Sequence, residues 1–424
     1  MKLLNMTPAE KIAYVMTRLY NNKLTTTSGG NLSIMDENGV MWISPTGVDK
    51  AHLTSQDIMW VTPDGKVHGM HRPSVEYPFH LAVLRSRPDI KAVLHAHPAA
   101  LVAYSLERKL PRTDILPGVA KMCGNITIAK YALPGSTTLG NIIAEKFAQG
   151  CDTVLLENHG VVLGADSLER AFMMFETLDF AARTGIAKSM LKANVRELTR
   201  EQLESKETYA TYSPELPEEN NSPLREEMAE MCRRSYRNKL FTSSTGAFAK
   251  RTDNGFIITP EGEDVGILTG DMTTRVIGGK CEKGKTPSRF SAMAQLIFDK
   301  CPDIDSIAFA RSPYIMGFAV GDAKFNSHLI PEGYLCLRNT VRHKFGTIEN
   351  APDKIAESMS IKSPVAIIEN DCVIVGGNSL LDAYDRLEVL EFGAEALCDI
   401  SAMNGKVVPI SNDEIAEIEA AFKL

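Results

Sequence analysis

The chain has 424 residues, 44% of them hydrophobic and 23% charged, with a formal net charge of -7. Such a length exceeds one ordinary core and suggests two domains, and the excess of carboxylates leaves no basic face for a phosphate backbone, so no nucleic acid partner is expected. No apolar run is long enough to cross a bilayer, and the start, Met1-Lys2-Leu3-Leu4-Asn5-Met6-Thr7-Pro8, lacks the apolar segment of a secretory leader, so the expectation is a cytoplasmic protein without a membrane partner. Eight cysteines without paired spacing argue against both a disulfide framework and a thiolate zinc site.

In chain order, Thr7-Pro8-Ala9-Glu10 opens a helix with a capping hydroxyl, a proline in the first turn and a glutamate three residues on; Ile12, Val15, Met16 and Leu19 then share a stripe that ends near Asn21-Asn22. Leu24 to Ser33 is rich in threonine and glycine. Short strands follow around Met41-Trp42-Ile43 and Ile58-Met59-Trp60-Val61, then a helix from Ser74 to Arg87 stopped by Pro88. The run Val93-Leu94-His95-Ala96-His97-Pro98 reads as a strand. Its two histidines leave one face side by side, which makes half a metal site, and a distant third, His159 in the turn Glu157-Asn158-His159-Gly160, can close it while leaving a position for substrate. A helix from Ala99 to Leu106, a sheet region from Ile126 to Tyr131, a helix from Thr138 to Gln149, a strand from Thr153 to Leu156 and a long helix from Ser167 to about Ala193 complete this half.

The second half repeats the first. Residues 18 to 24 read RLYNNKL and residues 234 to 240 read RSYRNKL, five of seven identical. At nearly the same offset Ile43-Ser44-Pro45-Thr46-Gly47 returns as Ile258-Thr259-Pro260-Glu261-Gly262, Pro88-Asp89-Ile90 as Pro302-Asp303-Ile304, and Leu156-Glu157-Asn158-His159 as Ile368-Glu369-Asn370-Asp371. Residues 205–223, with several prolines, acids and asparagines, read as a solvated linker between domains at 1–204 and 224–424. The order of helices and short strands places both domains in the α/β class without forcing a doubly wound parallel sheet.

Within the first copy, Ser28-Gly29-Gly30-Asn31 and Ser44-Pro45-Thr46-Gly47 offer bare amides and hydroxyls suited to an anion, and Arg72-Pro73-Ser74-Val75-Glu76 opens a helix where free amides favour one. Gly30-Asn31, Ser44-Pro45-Thr46-Gly47, Pro73-Ser74-Val75-Glu76, His95-Ala96-His97 and Glu157-Asn158-His159-Gly160, in this order, resemble the class II aldolase/adducin family, and the likeness covers the whole first copy. The resemblance implies two tandem three-layer α/β/α domains with a mainly antiparallel central sheet. It implies catalytic Zn2+, or another divalent metal, on His95, His97 and His159, a substrate phosphate held by Gly30, Asn31, Thr46, Gly47 and Ser74, and Glu76 as the acid/base. Members often carry a second serine where Val75 stands, and the fuculose-phosphate aldolase branch has a tyrosine shortly after the position of Pro111, where Arg112-Thr113-Asp114-Ile115 has none. Glu76 favours the aldolase-like branches over the epimerase branch, which has aspartate there.

The second copy lacks these groups. His159 becomes Asp371, Glu76 becomes Phe290, Asn31 becomes Ala247 and Thr46 becomes Glu261; His95 and His97 fall at Ala310 and Ser312, or at Phe309 and Arg311 if the gap moves by one residue. The chain is therefore read as a zinc-dependent lyase of the aldolase type acting on a small phosphorylated ketose, in which the second copy is degenerate. Dehydratase or decarboxylase action on a related sugar phosphate, or an adducin-like interaction module without turnover, are the alternatives. The family's four-subunit rings imply a homodimer of tandem chains imitating a tetramer. His52, His68, His71, His80, His328 and His343 show no selecting spacing and read as surface or packing residues, with His71 near enough to Ser74 for a substrate contact.

Overall fold

A computed structural model describes residues 6–204 and 210–422, and the chain divides into two compact units: residues 1–113 with 118–182, and residues 114–117 with 183–424. Eight strands build the first sheet: β1 (Asn31–Met35), β2 (Met41–Ile43), β3 (Met59–Val61), β4 (Val67–His68), β5 (Ala92–Ala96), β6 (Ile126–Ala129), β7 (Thr153–Leu156) and β8 (Val161–Ala165). Their order is β4-β3-β2-β1-β5-β8-β7-β6, antiparallel throughout except for β6 beside β7. The helices are α1 (Pro8–Asn21), α2 (Tyr77–Ser86), α3 (Ala99–Glu107), α4 (Pro117–Cys123), α5 (Thr137–Ala148) and α6 (Leu168–Met190).

Alternation sorts the side chains into layers. Val93 of β5, Val154 and Leu156 of β7 and Val162 of β8 point to one face, where Phe79 and Val83 of α2 and Leu139, Ile143 and Phe147 of α5 complete a core cluster. Leu32, Leu94 and Leu163 point the other way and are fully buried, as are Ile12, Met16 and Leu19 of α1. Helix α1 starts as expected: Thr7 and Glu10 form a reciprocal capping box with Pro8 in the first turn. The expected helix over Ser74–Arg87 is shorter, because Ser74 to Glu76 form the turn into α2 and the Glu76 backbone sits at φ -93°, ψ 1°.

The second sheet has nine strands: β9 (Ser213–Leu216), β10 (Ala247–Thr252), β11 (Gly255–Ile258), β12 (Thr274–Ile277), β13 (Lys280–Glu282), β14 (Ser306–Ala310), β15 (Thr340–His343), β16 (Val365–Ile368) and β17 (Cys372–Gly377). Their order is β15-β16-β17-β14-β10-β11-β12-β13-β9. It is mainly antiparallel, and its core of Phe256, Ile297, Ile307, Ile368 and Ile374 repeats the first copy's plan. Part of the expected linker departs from that reading: Ser213–Leu216 pairs in parallel with β13, while residues 205–209 lie outside the described residues. Register settles the repeat. Asn31 faces His95 across β1 and β5, and Ala247 faces Phe309 across β10 and β14. The equivalents of His95 and His97 are therefore Phe309 and Arg311, which corrects Ala310 and Ser312 by one residue. Among the described residues no helix is long and apolar enough to cross a membrane.

Candidate metal centre

The centre grows from the middle of the first sheet. His95 is the fourth residue of β5 and fully buried; His97 lies just past the strand's end, on the same side. His159 arrives on the turn between β7 and β8, where Asn158 adopts the left-handed conformation at φ 57° that asparagine tolerates better than most residues. That turn is closed by the Leu156 amide donating to Gly160 O and the His159 amide donating to Leu156 O. Gly160 is required for space, since a Cβ there would lie 2.4 Å from His97 Cδ2 and 2.6 Å from Ala96 O. One ligand atom from each of His95, His97 and His159 lies within 4.8 Å of the others.

The donor chemistry suits a divalent ion. His95 Nδ1 donates to Val161 O at 2.9 Å, which fixes its tautomer and turns the Nε2 lone pair inward. His97 Nε2 stands 2.9 Å from His95 Nε2. That contact is a hydrogen bond when His97 carries its proton on Nε2; with the proton on Nδ1 instead, both Nε2 lone pairs would be free to hold a cation. Burial and neighbouring imidazoles hold His95 and His97 down at about 3, against an ordinary value near 6.5, and burial also lowers His159 although Glu76 opposes it. All three rings are thus neutral ligands near pH 7.

Glu76 stands against this cluster, only 6% exposed. Its Oε2 accepts from Asn31 Nδ2 at 2.8 Å and lies 3.3 Å from His95 Nε2. Its Oε1 lies 3.9 Å from His159 Nε2 and, although buried, has no hydrogen-bond partner among the described residues. A buried carboxyl oxygen without a hydrogen bond, beside a neutral imidazole, is a costly arrangement that a cation or a substrate proton relieves. The residues present fit a divalent metal on His95, His97 and His159.

Beside the triad, two loops are laced together. The Ser74 amide donates to Ser44 O, the Thr46 amide to Arg72 O, and Pro45 bridges Pro73. A Cβ on Gly29 would lie 3.1 Å from His97 Nδ1, and one on Gly30 would lie 2.8 Å from His95 O, so the glycine turn runs directly against the metal ligands. Gly30 and Gly47 both take φ 72°. The structure thus gathers Gly30, Asn31 and Ser74 with Glu76 and the histidines, and puts Thr46 and Gly47, both exposed, at the outer edge of the same loops. Asn31 gives one Nδ2 proton to Glu76 Oε2, and its Oδ1 lies 2.5 Å from His80 Nε2.

Sequence reasoning missed four residues. Lys50 is 1% exposed, donates from Nζ to Pro45 O at 2.6 Å, and has no carboxylate partner among the described residues; burial pushes it down to about 8. Its signal was a lysine three residues after Gly47. Gly160 was read only as part of a turn. His80, read as a packing residue, and Ser33 form a buried hydrogen-bonded chain to Asn31. Their signals were the spacing of four from Glu76 on a helix and of two from Asn31 on a strand. His71 turns to Asp57, with Nε2 2.8 Å from Oδ1.

The second copy has replaced the centre as a unit. Phe290 and Phe309, standing for Glu76 and His95, stack with centroids 4.5 Å apart and planes 8° apart. Arg311, standing for His97, and Arg289, standing for Val75, pair with Asp371 at 3.0 and 2.6 Å. Burial pushes the Asp371 carboxyl up, but the two guanidiniums outweigh it and hold it below the usual carboxylate range. Arg311 thus puts a fixed cation where His97 stands in the first copy, and Asp371, where His159 stands, is its partner.

These features define a protein built from two copies of one α/β fold, with a three-histidine cluster in the first. The Class II Aldolase and Adducin N-terminal domain matches the chain over residues 10–186 and 226–398, and the chain belongs to that family. It is similar to the 5-deoxy-D-ribulose 1-phosphate aldolase of Bacillus thuringiensis serovar kurstaki, 34% identical over 41% of this chain and 82% of the relative. The 3-oxo-tetronate 4-phosphate decarboxylase of Escherichia coli O6:H1 is 32% identical over 41% of this chain and 84% of its own. The L-fuculose phosphate aldolase of Escherichia coli K12 is 32% identical over 44% and 85%.

Proposed function

We propose that the first copy, within residues 1–204, is a zinc-dependent lyase that cleaves a small phosphorylated ketose in the retro-aldol sense, and that residues 224–424 serve as scaffold. The observation that carries this reading is the buried Glu76 carboxyl beside the histidine cluster: Oε2 lies 3.3 Å from His95 Nε2, and Oε1, without a hydrogen-bond partner among the described residues, lies 3.9 Å from His159 Nε2. Zinc held by His95, His97 and His159 would act as a Lewis acid on a substrate carbonyl and stabilise the enediolate left when the neighbouring carbon-carbon bond breaks. Glu76 does the proton work: Oε2 is tied to Asn31, so Oε1 is the atom that takes and returns the proton. Gly30, Thr46, Gly47 and Ser74 supply amides and hydroxyls for the phosphate, and Val75 contributes only its backbone amide. Lys50, a buried ammonium bonded to Pro45 O and without a carboxylate partner among the described residues, provides the countercharge an arriving phosphate needs.

A second reading, decarboxylation of a phosphorylated 3-oxo sugar acid, draws on the decarboxylase likeness and uses the same residues with carbon dioxide as the leaving fragment. The test is turnover of the zinc-loaded chain on a panel of ketose 1-phosphates and 3-oxo acid phosphates, read as release of dihydroxyacetone phosphate or of carbon dioxide. Aldol cleavage abolished by Glu76→Gln, with zinc retained, supports the first reading. Carbon dioxide release alone supports the second, and no turnover with under one metal per chain favours a non-catalytic adducin-like module. We further propose a homodimer forming a pseudo-tetrameric ring, with the domain boundary between residues 205 and 223, and a cytoplasmic location, which suits eight free cysteines.

A further inference from the structure

A chain of four buried polar side chains ends on the acid/base carboxylate. Ser33 of β1 and His80 of α2 are both fully buried; Ser33 Oγ lies 2.7 Å from His80 Nδ1, and His80 Nε2 lies 2.5 Å from Asn31 Oδ1. Asn31 Nδ2 then donates to Glu76 Oε2 at 2.8 Å. The carboxylate fixes every direction in this chain. Glu76 accepts only, so Asn31 must turn its NH2 to Glu76 and its carbonyl to His80. His80 must therefore carry its proton on Nε2, and its bare Nδ1 accepts from the Ser33 hydroxyl. Burial holds the ring neutral, well below its ordinary range, so it can donate at one nitrogen and accept at the other. All donors point toward Glu76, and each hydrogen bond polarises the next.

The second copy separates a duty to the site from a duty to the fold. Ser33, Asn31, His80 and Glu76 correspond, through strand register and the matching turns into Tyr77–Ser86 and Ser291–Lys300, to Ala249, Ala247, Ala294 and Phe290. Ala247, Ala249 and Ala294 are buried in the second core, and the same strand and helix form around them. Packing does not require the polar chain. It is present where Glu76 is present and absent, all four members together, where the metal ligands are absent.

We propose that His80 is a positioning residue for the reaction: through Asn31, with Ser33 behind it, it locks Glu76 so that Oε2 is occupied and Oε1 alone exchanges protons with the substrate. This rests on the lyase reading above. The test compares His80→Phe, which keeps the ring's volume without its nitrogens, and His80→Gln, whose amide restores a donor near the place of Nε2, in the full zinc-loaded chain. His80→Phe is expected to lower kcat by about 10- to 100-fold, with KM within about twofold and zinc unchanged, and His80→Gln to recover most of the loss. An unchanged kcat in His80→Phe, or a glutamine variant no better than the phenylalanine one, overturns the proposal. The ring's proton is read separately by 15N NMR of histidine-labelled, zinc-loaded wild-type chain. Protonated Nε2 with bare Nδ1 is required, and a proton on Nδ1 overturns the proposal even if His80→Phe does not fold. A wild-type chain that cleaves no phosphorylated ketose overturns the lyase reading instead and leaves the ring measurement to judge the chain of hydrogen bonds.

Discussion

Three imidazoles that cannot protonate easily make the metal-free site a source of acid lability. His95 is held at about 3 when folded and titrates near 6.5 when unfolded. Between those values the unfolded state binds more protons, so stability is present above about pH 6.5 and lost as pH falls through that window. From pH 7 to pH 5 the metal-free wild type should lose about 2 kcal/mol that His95→Gln does not lose. Urea midpoints at the two pH values check this, and parallel losses in both proteins contradict it. On the proposed reading, Lys50 and Gly160 bear on binding. Replacing Lys50 by Met should raise KM for a phosphorylated ketose by about 10- to 150-fold while leaving zinc content alone, since one charge-assisted contact supplies roughly 1.5–3 kcal/mol. Gly160→Ala drives a methyl into the His97 ring and should weaken zinc binding by at least about tenfold, measured by competition with a chelator.

At the scale of elements, what was legible in the sequence followed periodicity and punctuation. The capping box of α1, strands β2 and β7 and the histidine pair at the end of β5 were all readable, because apolar spacing and turn residues agree there. Strand β1 was not. Its inward face carries Asn31 and Ser33, the polar residues that serve Glu76, so the alternation that marks a strand is broken by the site itself. Strand β8, Val161–Ala165, is apolar on both faces and sits directly after the His159 turn, and was passed over for the helix behind it. The triad could be read because three imidazoles are rare and conspicuous; Ser33 and His80 could not, since their meaning depends on β1 meeting α2. The turn carrying His159 gives a test at this scale. Asn158→Val places a branched side chain at positive φ and should cost about 1–3 kcal/mol and loosen the metal, while Asn158→Gly should leave stability within about 1 kcal/mol. Equal urea midpoints for the two variants contradict this account of the turn.

For the whole molecule, one fold is used twice under different rules. In the first copy buried polarity is gathered around a place for a cation; in the second the same place is closed by stacked phenylalanines and an Arg289-Asp371-Arg311 group. Removing Asp371 strands two guanidiniums, so Asp371→Ala should destabilise the chain by about 3–5 kcal/mol without altering its metal content. Light scattering should give twice the 46.5 kDa mass of one chain if tandem copies imitate a four-membered ring. The most direct measurement is metal stoichiometry by elemental analysis of the intact chain after dialysis. One tightly held divalent ion per chain, lost in His95→Ala and kept in Asp371→Ala, is the predicted result; two ions per chain, or an ion indifferent to His95, would contradict a single centre in the first copy.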